Sequence, residues 1–322
     1  MAIIIHKKDI ETITNTLDVV KAIENGFIAY SIGLTVVPPV AELLFEKPKG
    51  ETHIKYGYIK EQDYAIVKIA SGFYENTQLG ISSSQGLMIL LSQKTGETKG
   101  ILLDEGYLTN IRTAAAGALA VKYFAPKSIK GIGIIGSGIQ ARLQLRYLQK
   151  YTSCKQVWIW NKNIEGAQKF KEELGNDFNI QIAKNTSELA QSCNLIVTTT
   201  PSENALLKAE DIQQGTHITA VGSDTPEKQE LDSTILQKAD IVVADSISQC
   251  KSRGEIYHAL KNKTISSENI LELGTAIQNP SLHRTNENQI SVVDLTGVAV
   301  QDIMIATAVY DTYKNNKLKN NF

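Results

Sequence analysis

Apolar and polar residues follow two different patterns along this chain. In the first part, apolar residues recur at helical spacing over residues 18–33, and short β-rich runs follow after Pro38-Pro39. These runs span residues 53–60, 64–70, 87–93 and 100–104. Because turn-forming residues separate the runs, the pattern predicts one helix followed by an antiparallel sheet.

Beyond an alanine-rich segment, the pattern changes to alternating strands and helices. Residues 109–123 predict a helix that closes at Pro126, and residues 297–313 predict a closing helix. Five apolar runs predict strands, at residues 157–160, 195–199, 218–222, 241–244 and 292–295. This alternation is typical of a parallel, doubly wound sheet, so we expect an α/β fold of the Rossmann type in this part of the chain.

A glycine-rich turn carries the clearest functional signal. The apolar strand over residues 132–135 runs into Gly136-Ser137-Gly138-Ile139-Gln140-Ala141, and a helical segment follows. Gly136 permits a tight turn, Gly138 lets a pyrophosphate approach the backbone, and the helix N-terminus offers free N–H groups to phosphates. The turn with its flanking strand and helix therefore predicts a dinucleotide site that includes Gly136, Ser137, Gly138, Ile139 and Gln140.

Composition narrows the possible partners. The 322 residues include 33 Lys+Arg and 34 Asp+Glu, so the net charge of −1 gives no electrostatic reason to expect nucleic acid or a membrane surface. The apolar stretch at residues 2–5 is too short for a signal peptide or a membrane span. Three widely spaced cysteines indicate free thiols in a reducing cytoplasm and show no metal-ligand spacing.

Five blocks occur in one order along nearly the whole chain. They are Lys68 with Gly72-Phe73-Tyr74-Glu75-Asn76, then Leu108-Thr109-Asn110-Ile111-Arg112-Thr113-Ala114-Ala115, Gly136–Ala141, Val221-Gly222-Ser223-Asp224-Thr225-Pro226, and Thr296-Gly297-Val298-Ala299-Val300-Gln301-Asp302. Together they resemble the ornithine cyclodeaminase/mu-crystallin family.

That resemblance implies a discontinuous α+β substrate and dimerisation domain with a dinucleotide domain inserted in it. We expect the first from residues 1–115 and 300–322 and the second from residues 116–299. The resemblance also implies a homodimer whose sheets join across the interface. The expected ligands are NAD or NADP and a small imino or amino acid. Family members differ in reaction and substrate, so the fold alone does not fix the function.

Three residues carry the chemistry that the resemblance implies. Arg112 and Lys68 would hold the substrate α-carboxylate, and Asp224 would stabilise an iminium cation and relay a proton. Each has an alternative from the residues alone. Arg112 could cap the protein surface near the domain junction, Lys68 could face solvent because of strand alternation, and Asp224 could be an ordinary turn residue.

The resemblance also implies contacts to the cofactor outside the glycine turn. Val298 would pack on the nicotinamide, Thr199 and Thr200 would border the adenosine and ribose, and Val221 and Thr113 would line the same site. The second strand ends in Asn161-Lys162, where an acidic residue would accept from the ribose 2′-OH of NAD. A lysine there can pair with a 2′-phosphate, which favours NADP.

Two positions depart from ornithine cyclodeaminase. Its expected arginine falls on Ala41, and the glutamate for the distal amine of ornithine falls near His53. His53 and Lys55 would disfavour a cationic substrate tail and would accept a second carboxylate, unless they are solvated strand residues outside the pocket. The sequence pattern of this region most resembles the ectoine-utilisation and iminosuccinate-reductase branch of the family.

These observations predict an NAD(P)H-dependent imine reductase in which Asp224 and Lys68 are catalytic. The preferred substrate is a short imino diacid such as iminosuccinate, which would give aspartate. Two alternatives remain open: a cyclodeaminase that releases ammonia from ornithine or another diamino acid with catalytic NAD, and a non-catalytic, crystallin-like dinucleotide-binding protein.

Overall fold

The computed structural model describes residues 2–319 of the chain. The chain divides into two compact units. The first combines the chain up to Arg112 with the segment from Val298 onward, and the second comprises Thr113–Gly297. None of the helices within residues 2–319 combines the length and the hydropathy that a bilayer span requires.

Within these residues the backbone forms eleven α-helices and fifteen strands. The helices are α1 (Lys7–Thr14), α2 (Val19–Ser31), α3 (Tyr107–Phe124), α4 (Ile139–Leu148), α5 (Ile164–Leu174), α6 (Thr186–Ser192), α7 (Ser233–Lys238), α8 (Ile247–Cys250), α9 (Glu255–Lys261), α10 (Leu273–Gln278) and α11 (Ala299–Lys319). The strands are β1 (Ile3–His6), β2 (Thr35–Val36), β3 (Ala41–Phe45), β4 (Gly50–Ile59), β5 (Tyr64–Phe73), β6 (Ser84–Ser92), β7 (Thr98–Leu103), β8 (Ile132–Ile135), β9 (Gln156–Trp160), β10 (Asn179–Ile182), β11 (Leu195–Thr198), β12 (His217–Ala220), β13 (Ile241–Ala244), β14 (Ile270–Glu272) and β15 (Ser291–Asp294).

The sheet of the first unit is mainly antiparallel, as the alternating runs predict. Its strands follow the order β1-β7-β6-β5-β4-β2, and β3 pairs separately with β4. Only β1 and β7, among the described strands of this sheet, pair in parallel. Strand β1 was not predicted from the sequence, because its partner β7 lies far along the chain and a four-residue apolar stretch has no local signal of its own.

One face of this sheet is buried. Ile66, Met88, Leu90 and Leu102 lie on it and are at most 1% exposed. Helix α11 contacts β4, β5 and α2. Gly26 of α2 allows the close approach of the helices, since a Cβ there would lie 2.7 Å from Met304 Cγ. Each fully buried large apolar side chain contributes about 1.5–3 kcal/mol relative to an exposed one.

The opposite face of the same sheet is apolar but only half covered. Cross-strand register places five residues in one row, which consists of Ile4, Ile101, Ile89, Val67 and Tyr56. Ile4 is 51% exposed and Tyr56 is 38% exposed, and the other three are partly buried. Single exposed apolar residues are common on protein surfaces. A continuous apolar face across five strands is instead typical of an interaction surface.

The second unit contains a fully parallel sheet, so the predicted fold class is confirmed. Its order is β10-β9-β8-β11-β12-β15-β13-β14. The chain proceeds from β8 outward to β10 and then resumes at β11 on the other side of β8, so the direction of winding reverses between β8 and β11. Open α/β sheets bind ligands at the carboxyl ends of the strands beside such a reversal.

Candidate active site

A buried ion cluster in the first unit contains Lys68, Arg112 and Asp302. Lys68 Nζ lies 2.9 Å from Asp302 Oδ2, and Arg112 Nε lies 3.2 Å from Asp302 Oδ1. Arg112 Nη1 also donates to Gln301 Oε1 at 2.5 Å. The side chains of Lys68 and Asp302 are 2% and 1% exposed, so the two cations hold both oxygens of one carboxylate away from water.

Local structure explains how these three side chains converge. Lys68 shares the inward face of β5 with Ile66, so the alternative in which strand alternation turns it to solvent is wrong. Asp302 lies in the first turn of α11, where the helix dipole favours a carboxylate. Arg112 lies on α3 and is 5% exposed. No role for Asp302 or Gln301 was predicted from the sequence, although both lie in the block from Thr296 to Asp302.

Burial changes the proton affinity of this cluster. Desolvation lowers the pKa of Lys68 to about 8, although the nearby Asp302 carboxylate raises it in part. Desolvation alone would raise the pKa of Asp302, but Lys68, Arg112 and Lys55 together hold it below its usual value. Asp302 is therefore ionised at neutral pH, and Lys68 loses its charge near pH 8.

The ion cluster is not fully satisfied by hydrogen bonds. Among the described residues, neither carboxylate oxygen of Asp302 nor Arg112 Nε has a partner with hydrogen-bond geometry, although all three atoms lie within ion-pair distance of an opposite charge. Buried polar atoms in folded proteins normally have such partners. The unmet atoms are one donor, Arg112 Nε, and two acceptors, the Asp302 oxygens, so a ligand carboxylate would satisfy only the donor.

His53 and Lys55 lie on the same inward face of the neighbouring strand. Lys55 is directly opposite Lys68 in the β4–β5 pair and is 5% exposed. His53 is 8% exposed, and its Nε2 lies 3.8 Å from Glu51 Oε2. The alternative in which these two residues are solvated is therefore wrong. Ala41 opposes Ile54 at the start of β3 and is exposed.

The glycine turn of the second unit joins β8 to α4. Gly136 has φ of +103°, a conformation that glycine adopts without strain, and a Cβ there would lie 2.6 Å from Thr199 Oγ1. Gly138 precedes the first residue of α4, Ile139, and provides no side-chain cap. A Cβ on Gly138 would meet no described heavy atom within 4 Å, so the backbone is open at the N-terminus of a ten-residue helix.

A pocket of about 500 Å³ lies beside this turn. Seven of the predicted cofactor residues line it, namely Gly136, Ser137, Gly138, Asn161, Lys162, Thr199 and Thr200. Its charged lining residues are Lys162 and Glu203. Ile139 and Gln140 form the first turn of α4. Open backbone at a helix N-terminus fits a pyrophosphate, so the residues present fit a dinucleotide.

Three other predicted cofactor residues are not among those that line this pocket. Val221 follows β12 and is 9% exposed. Thr113 begins the second unit on α3, and its carbonyl accepts from Gln144 Nε2 at 3.1 Å. Val298 begins the returning segment of the first unit and is 1% exposed.

Asp224 lies in the loop after β12, at the carboxyl edge of the parallel sheet. Its side chain is 35% exposed, and its Oδ1 accepts from Lys228 Nζ at 2.8 Å. Arg253 Nη1 donates to the main-chain oxygen of Asp224 at 3.3 Å. Lys228 was not predicted as a partner of Asp224, although the spacing of four residues between them is visible in the sequence. Residues 2–319 contain no group of three or more His, Cys, Asp or Glu that could hold a metal ion.

The sequence is similar to several characterised and uncharacterised proteins. It is 38% identical to an uncharacterized cyclodeaminase from Sinorhizobium fredii, over 91% of this chain and 90% of that protein. It is 35% identical to an alanine dehydrogenase from Archaeoglobus fulgidus, over 96% of this chain and 94% of that protein.

Three solved structures share the fold. An archaeal alanine dehydrogenase dimer with bound NAD matches with a TM-score of 0.88 and 33% identity, covering 100% of this chain and 97% of that one. A pyrroline-2-carboxylate reductase from Thermococcus litoralis in complex with NADH and L-proline matches with a TM-score of 0.91 and 27% identity, covering 98% of each chain. The iminosuccinate reductase of Paracoccus denitrificans in complex with NAD⁺ matches with a TM-score of 0.87 and 28% identity, covering 98% of this chain and 97% of that one.

These names agree with the prediction of an NAD(P)-dependent enzyme that acts on carbon–nitrogen bonds. The family model of ornithine cyclodeaminase and mu-crystallin matches residues 2–317. The resemblance identified from the five sequence blocks is thereby confirmed, and the chain belongs to the ornithine cyclodeaminase/mu-crystallin family.

Proposed function

We propose that the protein is an NAD(P)H-dependent imine reductase that converts a short α-imino diacid, such as iminosuccinate, to the amino acid. The observation that carries this proposal is the buried ion cluster, whose two cations already span both oxygens of a carboxylate. Lys68 and Arg112 are the residues that would bind the substrate α-carboxylate, because a planar guanidinium and an ammonium together match its two oxygens.

Asp224 is the residue that we assign to proton transfer at the imine nitrogen. A nicotinamide ring, when bound, supplies the hydride that reduces the C=N bond. A carboxylate beside that bond stabilises the iminium cation and exchanges its proton. Two features support the assignment: the position of Asp224 at the carboxyl edge of the parallel sheet and its partial exposure.

The charges near Lys68 favour a diacid over a diamine. Lys55 lies directly across the strand pair from Lys68, and His53 shares the same face. A cationic tail would enter a region that already holds buried positive charge, which disfavours ornithine. A second carboxylate would gain charge-assisted hydrogen bonds there. An alanine-type substrate has no side-chain group that Lys55 or His53 would bind. Because an alanine dehydrogenase is among the relatives, the experiment below compares a diacid with an alanine-type substrate.

We propose NADP rather than NAD as the preferred cofactor. Asn161 and Lys162 follow β9 and line the pocket beside the glycine turn. A lysine ammonium pairs with a 2′-phosphate, whereas the acidic residue that would accept from a free 2′-OH is missing at this strand end. The solved relatives named above contain NAD or NADH, so the proposal of NADP depends on Asn161 and Lys162 alone.

We also propose that the protein is a homodimer that buries the outer apolar face of the first sheet. The row from Ile4 to Tyr56 supplies a continuous apolar surface across five strands. Burial of such a face against a second copy removes it from water and is a favourable driving force for association. One of the solved relatives is described as a dimer.

The substrate proposal is tested by following oxidation of NADPH and NADH with a panel of imino acids. The panel contains the imino acids formed from oxaloacetate and ammonia and from pyruvate and ammonia, together with pyrroline-2-carboxylate. Ornithine with catalytic NAD is assayed separately by ammonia release, because a cyclodeaminase gives no net change in NADH. We expect the highest kcat/KM for the imino diacid formed from oxaloacetate. Asp224→Asn should lower kcat by about 100-fold or more, because it removes a general acid–base group, and should leave the dinucleotide Kd unchanged.

Lys55→Met tests substrate selection, with the pyruvate-derived imino acid as the internal control. It should lower kcat/KM for the diacid by about tenfold, the value of one charge-assisted hydrogen bond, with little effect on the pyruvate-derived substrate. Release of ammonia from ornithine without net formation of NADH, at a kcat/KM equal to that for the diacid, would instead establish the cyclodeaminase. Near-full activity of Asp224→Asn would remove Asp224 from the mechanism.

The cofactor proposal predicts that two changes after β9 both reduce the preference for NADPH, by different means. Lys162→Ala should raise the Kd of NADPH by about tenfold through loss of a phosphate contact and leave that of NADH unchanged. Asn161→Asp should favour NADH, because a carboxylate accepts from the ribose 2′-OH and repels a 2′-phosphate. Fluorescence titration measures both values, with Lys169→Ala on the exposed side of α5 as control. An unchanged NADPH/NADH ratio in both variants would contradict the preference for NADP.

The dimer proposal predicts that a charge on the outer face separates the subunits. Ile89→Glu places a carboxylate in the middle of the apolar row, and its burial in an interface would be unfavourable. Sedimentation velocity should show the mass of two chains for the wild type and one for this variant. Ile164→Glu, at a 56% exposed position of α5, is the control and should remain dimeric. A monomeric wild type, or a dimeric Ile89→Glu, would refute this interface.

A further inference from the structure

Glu230 is a buried carboxylate that the proposed mechanism does not use. It lies between the loop after β11, which carries Thr200, and the loop after β12, which begins near Gly222. Its Oε1 accepts from the Thr200 main-chain N–H at 2.6 Å and from the Thr200 hydroxyl at 2.7 Å. Its Oε2 accepts from the Gly222 N–H at 2.9 Å. One side chain therefore binds both loops.

The two loops are also packed directly against each other. A Cβ on Gly222 would collide with the Thr200 carbonyl oxygen, and it would lie 2.5 Å from the Thr200 nitrogen and 2.6 Å from Glu230 Oε2. No side chain fits between the loops, so a displacement of Thr200 transmits to Gly222. Packed contacts of this kind respond to a displacement as discrete alternatives rather than by continuous deformation.

The backbone around Glu230 is anchored from helix α9. Glu255, which is 1% exposed, accepts from the Glu230 N–H at 2.7 Å and from the Leu231 N–H at 3.0 Å. His258 Nε2 lies 2.9 Å from the Lys228 carbonyl oxygen, which also accepts from the Ser223 hydroxyl. The segment between Ser223 and Lys228 is thus closed into a loop, and Asp224 lies within it.

Glu230 is 0% exposed, and the groups that donate to it at Thr200 and Gly222 are neutral. Burial raises the pKa of Glu230 to about 7, although hydrogen bonds from the Thr198 side chain, from Thr200 and from Gly222 lower it in part. A buried carboxylate without a cation among these donors is costly to maintain. It lies at two loops that each carry a predicted functional residue.

We propose that Glu230 is a positioning residue that couples the occupancy of the dinucleotide pocket to the placement of Asp224. Thr200 lines the pocket, and Gly222 precedes Asp224 by two residues. A dinucleotide that orders Thr200 orders the Asp224 loop through the Glu230 carboxylate. This inference rests on the proposed function, because it takes the pocket as the cofactor site and Asp224 as the proton-transfer residue.

Hydrogen–deuterium exchange with and without saturating NADPH tests the coupling without requiring a substrate. In the wild type, NADPH should slow exchange both at residues 136–142 and at residues 221–229. Glu230→Gln replaces an acceptor with an NH₂ group that faces N–H donors. This variant should keep the NADPH-dependent protection at residues 136–142 and lose it at residues 221–229. Its Kd for NADPH should rise about tenfold if about a tenth of the molecules keep the competent loop.

Two further variants separate coupling from general destabilisation. Gly222→Ala keeps the carboxylate but forces the loops apart, so it should reproduce the Glu230→Gln pattern, and it decides the matter if Glu230→Gln does not fold. Glu188→Gln is the control, because this partly exposed carboxylate accepts from the Lys184 N–H next to its own helix. It should behave as the wild type does.

The possible outcomes distinguish this inference from the proposed function. If Glu230 had a purely structural role, the variants would exchange faster at residues 221–229 to the same degree with and without NADPH. The ratio of these two exchange rates would then equal that of the wild type, which would overturn the coupling. Full NADPH-dependent protection in Glu230→Gln and Gly222→Ala would also overturn it. A wild type that binds neither NADPH nor NADH would overturn the pocket assignment itself, and the coupling with it.

Discussion

The pairing of buried charges in the first unit is the constraint on which the account of this protein depends. Lys68 and Asp302 are each almost fully buried, and an isolated charge in either place would be strongly destabilising. The pair is tolerated because Arg112 and Lys68 together span both oxygens of Asp302. The same pairing brings residues of β5, α3 and the returning helix α11 to one place, so the stability of this unit and the proposed carboxylate site depend on the same side chains.

In the second unit, a buried carboxylate accepts hydrogen bonds from main-chain N–H groups. The loops after β11 and β12 contain main-chain N–H groups that need acceptors, and the Glu230 carboxylate satisfies two of them. The reversal of winding between β8 and β11 opens the adjacent pocket. The hydrogen-bonded loops and the proposed ligand pocket therefore lie at the same edge of the parallel sheet.

The sequence predicted those features that depend on local pattern. The strand run 241–244 coincides with β13, and the predicted helix over residues 109–123 lies within α3, because apolar periodicity is a local property. The glycine turn was also predictable, since strand, turn and helix are adjacent in the chain. Strand β1 could not be predicted, because its pairing with β7 joins Ile3 to Gly100.

The roles of Asp302 and Glu230 could not be derived from the sequence for the same physical reason. Asp302 meets Lys68 across a large separation in the chain, and only the packing of α11 on the sheet brings them together. In the sequence Glu230 is one polar residue in a polar loop, and only the fold shows that Thr200 and Gly222 donate hydrogen bonds to it. Lys68 itself was recognised, but the direction of its side chain depended on which face of β5 the helices cover.

The most direct test of the central claim is the affinity of the dinucleotide-saturated protein for succinate as a function of pH. Succinate has two carboxylates and no group that titrates between pH 7 and pH 9. Lys68 is charged below its pKa of about 8 and neutral above it, so the Kd of succinate should rise about tenfold between pH 7 and pH 9. In Lys68→Met the affinity should be weak and independent of pH over this range. An affinity of the wild type that is the same at pH 7 and pH 9, or no binding at either pH, would contradict the assignment of Lys68 and Arg112 as the carboxylate site.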